Sequence, residues 1–254
     1  MIKTLVSVDQ FLPLESLNRF QIFELQTQLN ITVPQIKLDC NGKLDANTLK
    51  SYFIYKERNK LNFPTSISFQ TVKHLQYSIL ESNPLDVSTD SLLVYFTNML
   101  PDKDIVVYWT ASFISLANHF NITDKSDLAI FLSTLAYESN SFKHLYKFEF
   151  GGTKPCKNEF LKYQPKGLIK FKTREEYIQY TQHSNGLVDI YTNPNYLLNQ
   201  AVSIYFSCLY WKIHNLSKYA QELNFRSVVK HFDCMYNTWS ERYYLWQDIL
   251  KYLY

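Results

Sequence analysis

The sequence predicts a mainly α-helical protein in two parts. A small helical module spans residues 1–63 and a larger all-α domain spans 105–254, with a connecting region at 64–104. Three observations lead there. Apolar residues recur at helical spacing through most of the chain. No internal repeat or low-complexity tract interrupts them. Hydrophobic residues make up 46% of the 254 against 19% charged, ample for a core and too apolar for a disordered chain.

The elements follow in order. Leu17, Phe20, Phe23, Leu25 and Leu29 form one helical stripe, and Leu49, Tyr52, Phe53, Tyr55 and the stem of Lys56 form a second. Between them Asp39 to Thr48 is a turn cluster that ends in good N-cap residues. It superficially suggests a calcium loop, but Gly42 falls fourth rather than sixth and Lys50 stands twelfth, where a Glu is needed. The connecting region holds Pro64, Pro84 and Pro101, with short helical stretches over Val72–Leu80 and Ser91–Met99. Strong helical signals then cover Tyr108–Phe120 and Lys125–Tyr146. A looser, Lys-rich passage (Phe148–Lys172) leads to helices at Arg174–Thr181, Tyr196–Ile213, Phe225–His231 and Ser240–Tyr252. Asn185-Gly186 and Asn193-Pro194 read as turns.

Composition excludes several classes. A net charge of +3 gives no footprint for nucleic acid. The longest apolar candidate, Ile105 to Phe120, carries Thr110, Ser112, Ser115, Asn118 and His119, so no membrane insertion is expected. The opening MIKTLVSVDQ is too short for a secretory signal. Cys40, Cys156, Cys208 and Cys234 make no C-x-x-C pair, and the six histidines make no H-x-x-x-H pair, so reduced thiols and no metal are expected. Gly is only 5 residues while Tyr is 20 and Phe 18, a bias that suggests an A/T-rich genome and a drift away from glycine.

The most informative segment is Phe113 to Phe142. Its second half is a helix whose apolar face includes Leu128, Phe131, Leu132 and Leu135. Glu138 follows at the end of that stripe, before Ser-Asn-Ser, residues that favour leaving a helix. A carboxylate at the exit of a buried helix is held rigidly and partly desolvated, as a general acid requires. A solvated Glu at a helix end fits the same residues.

Here the chain resembles the family 19 glycoside hydrolases, the chitinases and phage endolysins of lysozyme-like fold. Their "F-L-A-q-x-A-H-E-S-G-G-F" is matched by Phe131-Leu-Ser-Thr-Leu-Ala-Tyr-Glu138-Ser-Asn-Ser-Phe142, and the preceding "a-x-x-F-x-I-t" by Ala117 to Thr123. Pro165 to Tyr177 echoes "G-R-G-L-I-Q-L-T-G-R-x-N-Y", and Gly186 to Leu198 echoes "G-L-D-L-x-x-N-P-x-L-L". Ala201 to Trp211 stands for the "A-x-x-S-A-x-x-F-W" helix. Phe232 to Tyr244 echoes the closing "I-N-G-G-x-N-G-x-x-D-R-x-x-Y". The segments keep their order over some 150 residues.

The resemblance implies a lysozyme-like helical domain that cleaves β-1,4 bonds between N-acetylated sugars with inversion, without metal or cofactor. Glu138 would be the acid. The base would be Glu149, eleven residues on, once the chain turns, with Glu159 the next choice. Tyr137, Lys170, Lys172, Tyr177, Asp233, Asn237 and Arg242 would line or brace the cleft. Departures gather at this site: Tyr137 stands for His, Lys170 for the sugar-contacting Gln and Lys172 for the Thr that helps hold water. Lys166 stands for Arg and Asp233 for Asn. A Lys offers no acceptor, and an ammonium beside Glu138 would lower its pKa, the wrong way for an acid.

Upstream, Asn41 to Leu49 looks like the "D-G-x-x-G-x-x-T" core of a peptidoglycan-binding module, with Gly42 and Thr48 matching. Leu25-Gln-Thr-Gln-Leu29-Asn fits the "L-Q-x-x-L-N" helix before it. A generic helical hairpin fits equally well, and Tyr52, Phe53 and Tyr55 suit a core better than a sugar platform. The implied partner is peptidoglycan or a chitin-like glycan, reached from the host cytoplasm or carried in a virion beside other virion proteins. The rival expectation is a lapsed hydrolase kept as a sugar-binding or virion structural component. Chitin degradation by a cellular organism would want an export signal.

Overall fold

The computed structural model describes residues 11–100, 102–143, 162–232 and 238–254. The fold is mainly helical, with eleven α-helices and one two-stranded sheet among the described residues. In the first part, β1 (Phe11–Pro13) pairs antiparallel with β2 (Ser66–Ser68), Leu12 opposite Ile67. Between the strands run α1 (Arg19–Thr32) and α2 (Ala46–Arg58). Then follow α3 (Phe69–Glu81), α4 (Thr89–Met99), α5 (Lys103–His119) and α6 (Lys125–Glu138). The last part contains α7 (Arg174–His183), α8 (Gln200–Ile213), α9 (Leu216–Gln221), α10 (Phe225–Phe232) and α11 (Trp239–Leu253). No described helix is long and apolar enough to cross a membrane.

Local chemistry sets the ends. Asn18 and Gln21 make a capping box on α1, and Thr173 with Glu176 makes another on α7. Asp45 caps α2 by accepting from the Thr48 amide at 2.7 Å. Residues 64–104 contain β2, α3 and α4, so most of the expected connecting region is regular structure whose side chains fill the core.

Two apolar clusters share α1. Ile22, Leu25 and Leu29 join Leu14, Tyr52, Tyr55, Ile67 and Leu75 in the smaller one. Phe20 and Phe23 join the larger, which α5, α6 and α8 dominate. The Tyr205 ring of α8 meets Phe20 edge-on at 5.7 Å and Phe23 at 5.2 Å. Covered from both sides, α1 also buries Gln21, Glu24, Gln26, Thr27 and Gln28. Gln26 donates to the Lys43 carbonyl and the Thr48 hydroxyl and accepts from the Gly42 amide, fixing the turn between α1 and α2. Gly42 sits at φ +70°, and an added Cβ would meet the Arg19 carbonyl at 2.4 Å and Leu187 at 2.7 Å. Only glycine fits there. Arg19 ties the same corner to the second part by donating to the Gly186 carbonyl at 3.0 Å.

Candidate active site around Glu138

Helix α6 begins at Asp124, whose carboxylate accepts from the Ser126 and Asp127 amides. Every residue from Asp127 to Ala136 is buried, and α6 packs along α11. The periodicity suggested a helix to Tyr146, but α6 stops at Glu138. Beyond it Asn140, Ser141 and Phe142 all take left-handed conformations, with φ of 52°, 55° and 63°. The Ser141 amide returns to the Ala136 carbonyl at 2.7 Å, a Schellman-type closure. Ser139 donates back to the Leu135 carbonyl and accepts from the Phe142 amide. Left-handed backbone costs an L-residue roughly 1–2 kcal/mol. Burial of Phe142 among Tyr95, Phe96 and Trp109 offsets part of the cost of three such residues with about 2–3 kcal/mol.

The turn presents Glu138, half-buried, to the first turns of α11. Arg242 donates to its carboxylate in an ion pair. The guanidinium is buried, its Nε donates to the Thr238 hydroxyl at 2.9 Å, and its Cζ lies 4.0 Å from the Tyr137 ring centroid and 5.6 Å from that of Phe232. The Tyr137 hydroxyl donates to Oε2 of Glu241 at 2.9 Å. Burial, followed by the hydrogen bond and charge of Glu241, raises the Tyr137 pKa, so the phenol stays a donor.

Next to this group lies an aromatic strip. Tyr210 stacks on Tyr180 at 5.7 Å and packs against Phe232 and His214. Its hydroxyl is pushed up to about 12 by burial and then by the charges of Glu176 and Glu138. Two carboxylates therefore project their fields onto one phenol. The Tyr180 hydroxyl and Nε2 of His214 share a hydrogen bond of 2.9 Å. The His214 and His231 rings lie 5.7 Å apart, and burial pulls both pKa values down.

The remaining site expectations divide. Lys170 is buried and donates to the Gly167 carbonyl at 2.8 Å, inside its own turn. Lys172 is exposed, and its backbone amide donates to Glu176 at 2.6 Å. Neither lysine is the cation paired with Glu138; Arg242 is. Tyr177 is fully buried against Tyr163 and Phe171 and donates to the Gln164 carbonyl at 3.0 Å, so it braces the turn from the core. Glu149, Glu159, Asp233 and Asn237 lie outside the described residues. Tyr52 and Tyr55 are core residues of the first part, while Phe53 is exposed. Among the described residues no group of three His, Cys, Asp or Glu could hold a metal ion.

Sequence reasoning passed over Glu241, Tyr210 and His214. Glu241 had a signal, since it immediately precedes Arg242 and stands on the first turn of its helix. The other two become visible only when α7, α8 and α10 come together. No protein-family model and no curated protein matches this chain.

Proposed function

We propose that the protein is an endolysin-like glycoside hydrolase of lysozyme-like fold. It cleaves β-1,4 bonds between the N-acetylated sugars of peptidoglycan, with Glu138 as the proton donor. One observation carries this reading. Glu138 stands at the exit of a buried helix, gripped by Arg242, and is followed by left-handed residues at the two positions where the resembling pattern has Gly-Gly. Asn140 and Ser141 hold this backbone without being glycines, and strain of that kind collects at functional sites.

In the ion pair Glu138 is a carboxylate. It serves as an acid once bound sugar parts it from Arg242 and it takes up a proton. It then delivers that proton to the glycosidic oxygen while water attacks the opposite face of the anomeric carbon, so the product is inverted. Arg242, backed by Tyr137 and Phe232, afterwards takes back the carboxylate. The aromatic strip of Tyr210 and Tyr180 continues the site, and the first part of the chain is read as a wall-binding module. The site of action is the bacterial cell wall, reached from the host cytoplasm or from a virion.

The ion pair also favours a second reading, a lapsed hydrolase kept as a sugar-binding or virion component, because a closed Glu138–Arg242 pair donates no proton. Turbidity clearing of permeabilised bacterial cells separates the two. Wild type clears and Glu138→Gln does not if the enzyme reading holds. If neither clears cells of several wall types, hydrolysis is excluded, and a pull-down on insoluble peptidoglycan then tests for a sugar binder.

A further inference from the structure

Inverting hydrolysis needs a second carboxylate to draw a proton from water, at roughly 6.5–9.5 Å from the acid. Among the described residues, two glutamates approach Glu138 through a shared neighbour. Glu176 reaches it across Tyr210, but its Oε2 is taken up by the Lys172 and Thr173 amides as the cap of α7. Glu241 is differently placed. It is exposed to water, it stands beside Arg242 on α11, and its one hydrogen bond among the described residues comes from Tyr137, the residue before Glu138. Oε1 has no such partner.

Glu138, the Arg242 guanidinium, the Tyr137 ring and Glu241 thus form a continuous file. The guanidinium and the phenol stand between the two carboxylates. The Tyr137 hydroxyl donates to Oε2 of Glu241, a side chain exposed to water. The two carboxylates therefore have different surroundings. One is half-buried at a helix exit, and the other is solvated and anchored by a phenol.

We infer that Glu241 is the general base of the proposed reaction and that Tyr137 is its positioning residue. This rests on the hydrolase reading. Oε1 accepts a proton from water as the water oxygen bonds to the anomeric carbon. The bond to the leaving oxygen breaks, its electron pair stays on that oxygen, and Glu138 supplies the proton. Glu241 ends protonated and Glu138 ionised, and exchange with solvent resets both. One water is consumed, and one hemiacetal and one free hydroxyl are formed.

The test measures reducing ends released from purified peptidoglycan sacculi by the full chain. Glu241→Gln is expected to lower kcat by about 10²–10⁴-fold. Added azide, a nucleophile that needs no base, should restore turnover and leave glycosyl azide of inverted configuration. Tyr137→Phe should lower kcat by a smaller factor than Glu241→Gln, with KM little changed, and move the acidic limb of the pH profile upward, a change that loosened packing alone does not produce. It also carries the test if Glu241→Gln melts early. Activity of Glu241→Gln within roughly threefold of wild type, or a loss that azide does not relieve, overturns the assignment and leaves the hydrolase reading standing. A wild type that releases no reducing ends overturns both.

Discussion

Helix α6 carries an acid near each end, and the two are held in opposite ways. Asp127, in the first turn, is fully buried and accepts from the Trp211 indole at 2.8 Å. Burial pushes its pKa up to about 6. Glu138, the last residue of the helix, keeps 13% of its side chain exposed and has a guanidinium opposite it. Asp127, with its raised pKa, is therefore a structural acid. Trp211 and the α8–α9 corner enclose it and leave no path for substrate. The acid at the helix exit, with its buried guanidinium partner, is the one the proposed reaction uses. A shifted pKa marks burial, and a site also needs access.

The comparison breaks most sharply at the arginine. Arg242→Ala strands the Glu138 carboxylate and should cost about 3–5 kcal/mol in denaturant titrations. Adding Glu138→Gln should recover much of this. A loss below about 1 kcal/mol would mean that the pair behaves as a surface salt bridge.

Asp127 tests the other end. Its folded-state pKa lies above the unfolded value of 3.8, so the folded protein holds the extra proton between the two values. Stability falls as pH rises from about 4 through about 6 and is then level. Asp127→Asn keeps an acceptor for Trp211 and should raise neutral-pH stability by up to about 3 kcal/mol, with no gain below the unfolded pKa. Melting curves across the acid range check this. A gain that persists at low pH would place the effect elsewhere.

The smaller effects sharpen the contrast between cap and site. Ser141→Gly relieves a left-handed Ser and should stabilise by about 1 kcal/mol, with less from Asn140→Gly because Asn tolerates that conformation. Lys172→Ala, at an exposed side chain, should stay within about 0.5 kcal/mol of wild type.

Much of this was legible in the residues. The helical stripes located the helices because burial on one face leaves a period of 3.6. Ser-Asn-Ser marked the exit after Glu138, and the order of short segments singled out Arg242. Helix α1 was harder. Its stripe was clear, but the burial of Glu24 and Gln28 depends on a second cluster that closes over its polar side. Lys170 read as a cleft residue because its position in a pattern does not tell whether the ammonium turns into its own loop. Glu241 stayed hidden for a related reason, since its partner Tyr137 is 104 positions away and the contact exists only once α6 and α11 pack.

The most direct test of the account is proton NMR of the first products released from peptidoglycan glycan strands, comparing wild type with Glu138→Gln. Wild type is expected to give new reducing ends of inverted anomeric configuration, and the variant none above background. Retained configuration, or equal cleavage by the variant, would contradict the role given to Glu138.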